Sequence, residues 1–96
     1  MKTLTRIRAK KRQIESIARH YGIRDIRIFG SVARGEETRR SDIDMLVKYD
    51  RAITIPEVCD AQDELAKLLG RPVQLVARDE LGPILRQRVP REAVPL

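Results

Sequence analysis

Residues 28–50 read Ile-Phe-Gly-Ser-Val-Ala-Arg-Gly-Glu-Glu-Thr-Arg-Arg-Ser-Asp-Ile-Asp-Met-Leu-Val-Lys-Tyr-Asp, and the rest of the 96-residue chain is best read outward from them. Just upstream, Ile26 and Ile28 alternate with arginine, which predicts a strand ending near Phe29. Gly30-Ser31 interrupts that strand, Val32 to Arg34 predict a short helical turn, and Gly35 with the polar run to Ser41 makes a loop. From Asp42 to Tyr49 the alternation resumes. Ile43, Met45 and Val47 fall on one face of this second strand, and Asp42, Asp44 and Leu46 fall on the other.

Upstream, residues 1–12 are rich in Thr, Lys and Arg and predict a frayed lead into a first helix. Ile7, Ile14, Ile17, Ala18 and Tyr21 form its apolar stripe, with Gly22 as the stop. Downstream, residues 50–53 connect to a helix whose start carries Thr54, Pro56 and Glu57, a capping box. Val58, Ala61, Leu65, Leu68 and Leu69 line its apolar face, and Gly70 ends it. Pro72 opens a third strand, Val73 to Ala77. Asp79 is expected to cap a last helix carrying Leu81, Ile84 and Leu85. Pro90 should end that helix, since a proline in a helix interior costs ~3 kcal/mol. The tail to Leu96 then becomes a separate segment, docked or mobile. The α-β-α-β-α-β-α order predicts one domain over residues 1–96, of α/β (α+β) class, with a small sheet of about three strands packed against helices.

Composition narrows the function. Only Tyr21, Phe29 and Tyr49 are aromatic, so the core must rest on Leu, Ile, Val and Ala. Twenty Lys and Arg against fourteen Asp and Glu leave a net charge of +6. That balance suits a polyanionic partner such as a nucleotide, a nucleic acid or an acidic protein face. Solvated helix faces account for the same charges, and Lys10, Lys11 and Arg12 are read that way first. No aromatic residue interleaves with the basic ones, which disfavours an RNA-stacking platform. A lone Cys59 excludes an internal disulfide and suits a reducing compartment, so a cytoplasmic protein is expected. Cys59 itself, beside Val58, reads as a small packed side chain rather than a nucleophile. His20 fits the end of the first helix as a dipole partner. No apolar run approaches the ~20 residues of a membrane span.

The chemistry sits in residues 30–44. Asp42 and Asp44, two apart in a strand, point the same way with Cα atoms about 6.6 Å apart. Held about 5 Å apart, two carboxylates repel by ~3 kcal/mol at an effective dielectric of 20. Either one takes a proton or a cation lies between them. Oxygen ligands on a rigid strand suit magnesium, which commonly bridges carboxylates to substrate phosphates. Gly30 lets backbone approach a phosphate closely, and the N–H groups opening the following turn, with the Ser31 hydroxyl, favour an anion. A phosphate cradle beside paired acids suits phosphoryl or nucleotidyl transfer. Arg34, one turn after Ser31, is placed to reach a phosphate or to support the loop. Arg39 and Arg40 flank the acids and raise the local positive potential.

Gly30-Ser31, ten residues, then Asp42-Ile43-Asp44 resembles the G-S-x10-D-x-D signature of the nucleotidyltransferase superfamily that includes polymerase β. The fuller run Phe-Gly-Ser-Val-Ala-Arg-Gly-Glu with Ser-Asp-Ile-Asp-Met-Leu-Val is similar to its minimal nucleotidyltransferase (MNT) branch. The similarity extends through Gln62-Asp63-Glu64-Leu65, Leu68-Leu69-Gly70 and Glu92-Ala93-Val94. The resemblance implies a nucleotidyltransferase fold with a small mixed sheet. It also implies Asp42 and Asp44 as catalytic Mg2+ ligands and Gly30, Ser31 and Arg34 as the nucleotide-binding residues. An antitoxin role is implied too: AMP passed from ATP to a hydroxyl of a HEPN-family toxin held in a hetero-oligomer. In one respect the chain departs from the pattern. The family's third acid belongs on the strand after the long helix, where this chain has Val73-Gln74-Leu75-Val76. An amide cannot act as a general base and binds magnesium less well than a carboxylate. Asp50 or Asp79 would have to substitute, or the protein is an impaired relative that neutralises its toxin by binding. RNA as an acceptor is disfavoured, because so short a chain leaves little room for an RNA-binding module.

Overall fold

A computed structural model describes residues 3–38 and 41–96, the side chains of Ile84 and Leu85 excepted. In chain order the elements are α1 (Thr3–Ala9), α2 (Lys11–His20), β1 (Ile23–Phe29), α3 (Gly30–Arg34), β2 (Ile43–Tyr49), α4 (Ile55–Leu69) and β3 (Val73–Ala77). A 3-10 turn (Arg78–Glu80), α5 (Pro83–Glu92) and β4 (Val94–Pro95) complete the chain. The sheet order is β3-β2-β1-β4, with β2 antiparallel to β1 and parallel to β3, and β4 antiparallel to β1. The α+β class and the mixed sheet agree with expectation; the strands number four rather than about three.

Alternation along β2 builds two cores. Ile43, Met45 and Val47 pack with Ile7, Ile14, Ala18, Ala61 and Leu65 under α1, α2 and α4. Leu46, on the opposite face, packs with Leu81 and Val89 of the α5 region. Helix α4 starts as read. The Thr54 hydroxyl accepts from the Glu57 N–H and the Glu57 carboxylate accepts from the Thr54 N–H, while Gly70 closes the helix in the left-handed conformation. Leu65, fully buried on this helix, should lose about 2–5 kcal/mol on replacement by Ala, because the cavity left cannot fully collapse. Urea unfolding checks this: the midpoint should fall with an unchanged slope.

Several expectations are corrected. Thr3–Ala9 are not a frayed lead but a helix of their own, because Ile7 is buried; residues 1–2 lie outside the described residues. β1 ends at Phe29 as expected; its start, left open by the alternation, is Ile23, and it carries a bulge between Arg24 and Arg27, where Asp25 takes a positive φ of 55°. Asp79 does not cap the last helix; the 3-10 turn takes it, and Gly82 is the N-cap. Pro90 lies inside α5 rather than beyond it. Near the C-terminal end, it forgoes one bond to the Arg86 carbonyl, and burial of Val89 against Leu46 and Leu81 offsets the loss. The tail is docked. Val94 and Pro95 pair with Ile28 and Arg27, and the Arg8 guanidinium donates to the Pro95 carbonyl at 2.8 Å. A proline is tolerated there because the outer edge needs no N–H. Cys59 is exposed, not packed, since it follows Val58 by one position and so turns about 100° off the apolar face. Leu81 is buried but precedes α5, and the side chains of Ile84 and Leu85 lie outside the described residues.

Candidate nucleotide and metal site

Three elements meet where β1 gives way to α3. In register, Phe29 of β1 opposes Asp44 of β2, which in turn lies beside Gln74 of β3. Gly30 follows Phe29 with a φ of +74°, a left-handed conformation that glycine alone adopts without penalty. A Cβ placed there would stand 3.3 Å from the Asp44 Cγ and run into its Oδ2. The missing side chain is therefore what lets the carboxylate lie directly against the glycine backbone. Ser31 follows in the first turn of α3, its carbonyl accepting from the Glu36 N–H at 2.9 Å.

Electrostatics brings in the other residues. Burial pushes the Asp44 carboxyl above its usual range, the Asp42 charge pushes it further, and Arg34 pulls it back. Asp42 and Arg34 thus both act electrostatically on Asp44. Asp42 stands one residue before β2, which begins at Ile43 rather than at Asp42. Arg34 is also engaged by carboxylates, its Nε with Glu36 at 3.1 Å and its Nη1 with Glu92 of α5 at 3.3 Å. Glu92 in turn receives Arg88 at 3.0 Å, so both cations hold its carboxyl below the usual range.

The raised Asp44 carboxyl has a consequence for stability. The folded chain holds the proton at pH values where the unfolded chain, near pKa ~3.9, has released it. Folded-state proton excess makes stability fall as pH rises through that window. Asp44→Asn should therefore be more stable than the parent at neutral pH, and the gap should close as pH drops below about 4. Thermal melts of the metal-free proteins test this; a gap independent of pH would contradict it.

Neither substitute for the missing third acid is nearby. Asp50 pairs with Arg24, beyond the opposite end of β2. Asp79 follows β3 and acts electrostatically on Tyr49, also at that far end. Gln74 is exposed and adjoins Asp44 in register, the place implied for the third acid. Arg39 and Arg40 lie outside the described residues. His20, in the last turn of α2, meets the Tyr21 ring edge-on. Lys10 donates to the Leu68 carbonyl at 2.8 Å. Lys11 and Arg12 line a cavity of about 640 Å3 between α2 and β1, away from the acids. Glu15 and Asp25 also line that cavity, but neither carboxylate lies against a glycine bend as Asp44 does.

Two residues to which the sequence reading gave no role hold the elements around the site. Gln62 of α4 accepts the Leu75 N–H at 2.9 Å and so fixes α4 against β3. Arg71, between α4 and β3, binds the loop that carries Asp42. In sequence Arg71 is one of twenty basic residues, marked only by its place between Gly70 and Pro72.

The donor set fits a divalent cation of the magnesium kind: two neighbouring carboxylates, one with a raised proton affinity that a cation would relieve. Among the described residues no group of three His, Cys, Asp or Glu could hold a metal, so remaining ligands would be water and substrate oxygens. No helix among the described residues is long and apolar enough to cross a membrane.

Comparison with known proteins agrees with this geometry. Residues 12–96 match the protein family described as Polymerase beta, Nucleotidyltransferase. The protein adenylyltransferase MntA of Thermococcus cleftensis is 32% identical over 80 residues, covering 83% of this chain and 81% of that one. A solved structure described provisionally as a minimal nucleotidyltransferase superposes with a TM-score of 0.83 at 38% identity, covering 100% of this chain and 97% of that one. A toxin-antitoxin structure with AMP-PNP aligns at a TM-score of 0.74 and 26% identity, covering 88% of this chain and 69% of that one. With its glycine bend and paired acids in the arrangement described above, the chain belongs to the polymerase β nucleotidyltransferase family and is a nucleotidyltransferase-like enzyme of the minimal, MntA-like kind.

Proposed function

We propose that the protein is the antitoxin of a HEPN/MNT pair, a cytoplasmic protein that transfers AMP from ATP to a hydroxyl of its partner toxin. The observation that carries this is the Asp44 carboxylate lying against Gly30 at the start of α3, with Asp42 close enough to raise its proton affinity. Gly30 and the first N–H groups of α3 receive the triphosphate, and the Ser31 hydroxyl adds a donor. Arg34, drawn between Glu36 and Glu92 and acting on Asp44, meets a phosphate with its remaining donors. Asp42 and Asp44 hold Mg2+, which when bound neutralises charge on the phosphates. In the transfer the acceptor hydroxyl oxygen forms a bond to the α-phosphorus, the bond to pyrophosphate breaks so that pyrophosphate leaves, and the hydroxyl proton passes to solvent. Support for a toxin partner and for ATP comes from the likeness to a toxin-antitoxin structure holding AMP-PNP and to an adenylyltransferase. The test is incubation of the protein with labelled ATP, Mg2+ and a HEPN toxin. Label on the toxin supports the reading; no label, together with no Mg2+-dependent ATP binding, defeats it.

Gln74 favours a second reading, neutralisation by binding alone. Beside Asp44 it offers no carboxylate to take the hydroxyl proton. General-base assistance contributes typically 10²–10⁴-fold, so Gln74→Asp should speed transfer by about tenfold or more if catalysis operates. Full neutralisation of the toxin by an Asp42→Asn/Asp44→Asn variant would instead establish the binding reading.

A further inference from the structure

Arg71 carries a set of contacts that the reading above leaves unused. Its side chain is half-buried between α4 and β3. Nε and Nη2 donate to the Ser41 carbonyl at 3.2 and 2.6 Å, Nη2 also donates to the Thr38 carbonyl at 3.0 Å, and Nη1 donates to the Thr3 hydroxyl at 3.0 Å. The next residue continues the clamp, since the Pro72 carbonyl accepts from the Ile43 N–H at 2.8 Å. Ser41 and Ile43 are the two neighbours of Asp42. The acid therefore stands on a single-residue span with both ends tied to Arg71-Pro72.

This matters because Asp42 is not in a strand. Asp44 is held on both sides by the β1 and β3 ladders, whereas Asp42 ends an irregular loop. Before Asp42, the Thr38 N–H donates to the Ser41 hydroxyl at 2.8 Å and the Ser41 N–H to the Thr38 carbonyl at 3.1 Å. Bonds between Thr38 and Ser41 fix these two residues to each other, and contacts from outside set their position relative to the sheet. Arg71, reaching from the opposite connection, supplies bonds from outside to the carbonyls of both Thr38 and Ser41, and Glu37 adds a tie to Thr3 of α1. A guanidinium is suited to this: its planar fork reaches several oxygens at fixed angles, which a lysine ammonium cannot reproduce. The Thr3 contact ties α1 into the same network, which links the N-terminal helix to the acid site.

We propose that Arg71 is a positioning residue that sets Asp42 at the separation from Asp44 needed for both to hold one divalent cation. The inference rests on the metal role given to the two acids above. Residues that orient ligands from outside typically change metal affinity or activity by about 10–100-fold when altered. Arg71→Lys, which keeps the charge, is therefore expected to weaken Mn2+ binding to the nucleotide-free protein by about tenfold or more, read by electron paramagnetic resonance titration. Hydrogen exchange at the Ser41 and Ile43 amides should quicken in the same variant, while amides of α4 stay protected. Arg71→Ala with millimolar guanidinium added should regain part of the lost Mn2+ affinity, an effect a merely structural role would not show.

The outcomes separate cleanly. If the parent binds no Mn2+ and Asp42→Asn is indistinguishable from it, the metal role of the acids fails. If the parent binds Mn2+ and Asp42→Asn does not, but Arg71→Lys binds like the parent, the Arg71 inference alone is overturned. Should Arg71→Ala not fold, the Arg71→Lys titration decides by itself, provided its melting temperature lies within a few degrees of the parent's.

Discussion

Replacing Asp42 and Asp44 together by Asn is expected to cut AMP transfer by about a thousandfold or more while leaving the fold at least as stable. A metal ion supplies several kcal/mol of charge stabilisation in the transition state, and ~4 kcal/mol corresponds to about a thousandfold in rate. The stability half of the prediction is as informative as the activity half. Asp44 is desolvated and repelled by Asp42, and no partner cation among the described residues is devoted to it, since Arg34 is already shared with Glu36 and Glu92. A group that the fold holds at a disadvantage without ligand, and that ligand relieves, is the pattern of a site kept for binding rather than for stability. Single-turnover labelling and thermal melts of the same preparations measure both halves. A double variant that loses stability would show that the acids hold the fold, and the case for a metal site would weaken with it.

Gly30→Ala should be strongly destabilising although it adds only one methyl group. A side chain at φ +74° costs roughly 1–2 kcal/mol in backbone strain, and its Cβ would also overlap the Asp44 carboxylate. Overpacking of this kind adds typically 1–3 kcal/mol, for a total of about 2–5 kcal/mol. In a domain of this size that lowers the melting temperature by roughly 8 °C or more. The clash also displaces Asp44, so metal-dependent ATP binding should disappear in any fraction that folds. A double-mutant cycle isolates the cause. Asp44→Ala removes the carboxylate that collides, so Gly30→Ala should cost less in that background, with a coupling of about 0.5–3 kcal/mol. Strictly additive melting shifts would mean that the glycine is needed only for its backbone angle, and that carboxylate and bend are not in contact.

The same two residues show why the site is cheap to recognise and hard to complete from sequence. Local rules act over a few residues, so the chain alone determined what depends on them. Alternation placed Ile43, Met45 and Val47 inward and Asp44 and Leu46 on the other face, as observed. The Thr54–Glu57 capping box and the Gly70 stop delimited α4, and Val73 to Ala77 was read with its bounds intact. The glycine-serine bend and the paired acids were legible for the same reason, being short motifs with fixed spacing.

What escaped the sequence depends on groups far apart along the chain. Ile7 turns a basic, frayed-looking segment into a helix only because α4 and β2 offer a core to bury it. Pro90 stays helical, and Val94-Pro95 becomes a fourth strand, because Leu46 and the open edge of β1 are already in place. Arg71 reads as a solvated cation until folding brings Thr3, Thr38 and Ser41 within reach of its guanidinium, 68, 33 and 30 residues away. Short-range periodicity decides which face a residue takes; which partner waits at that face is decided by burial and hydrogen bonding across the assembled sheet.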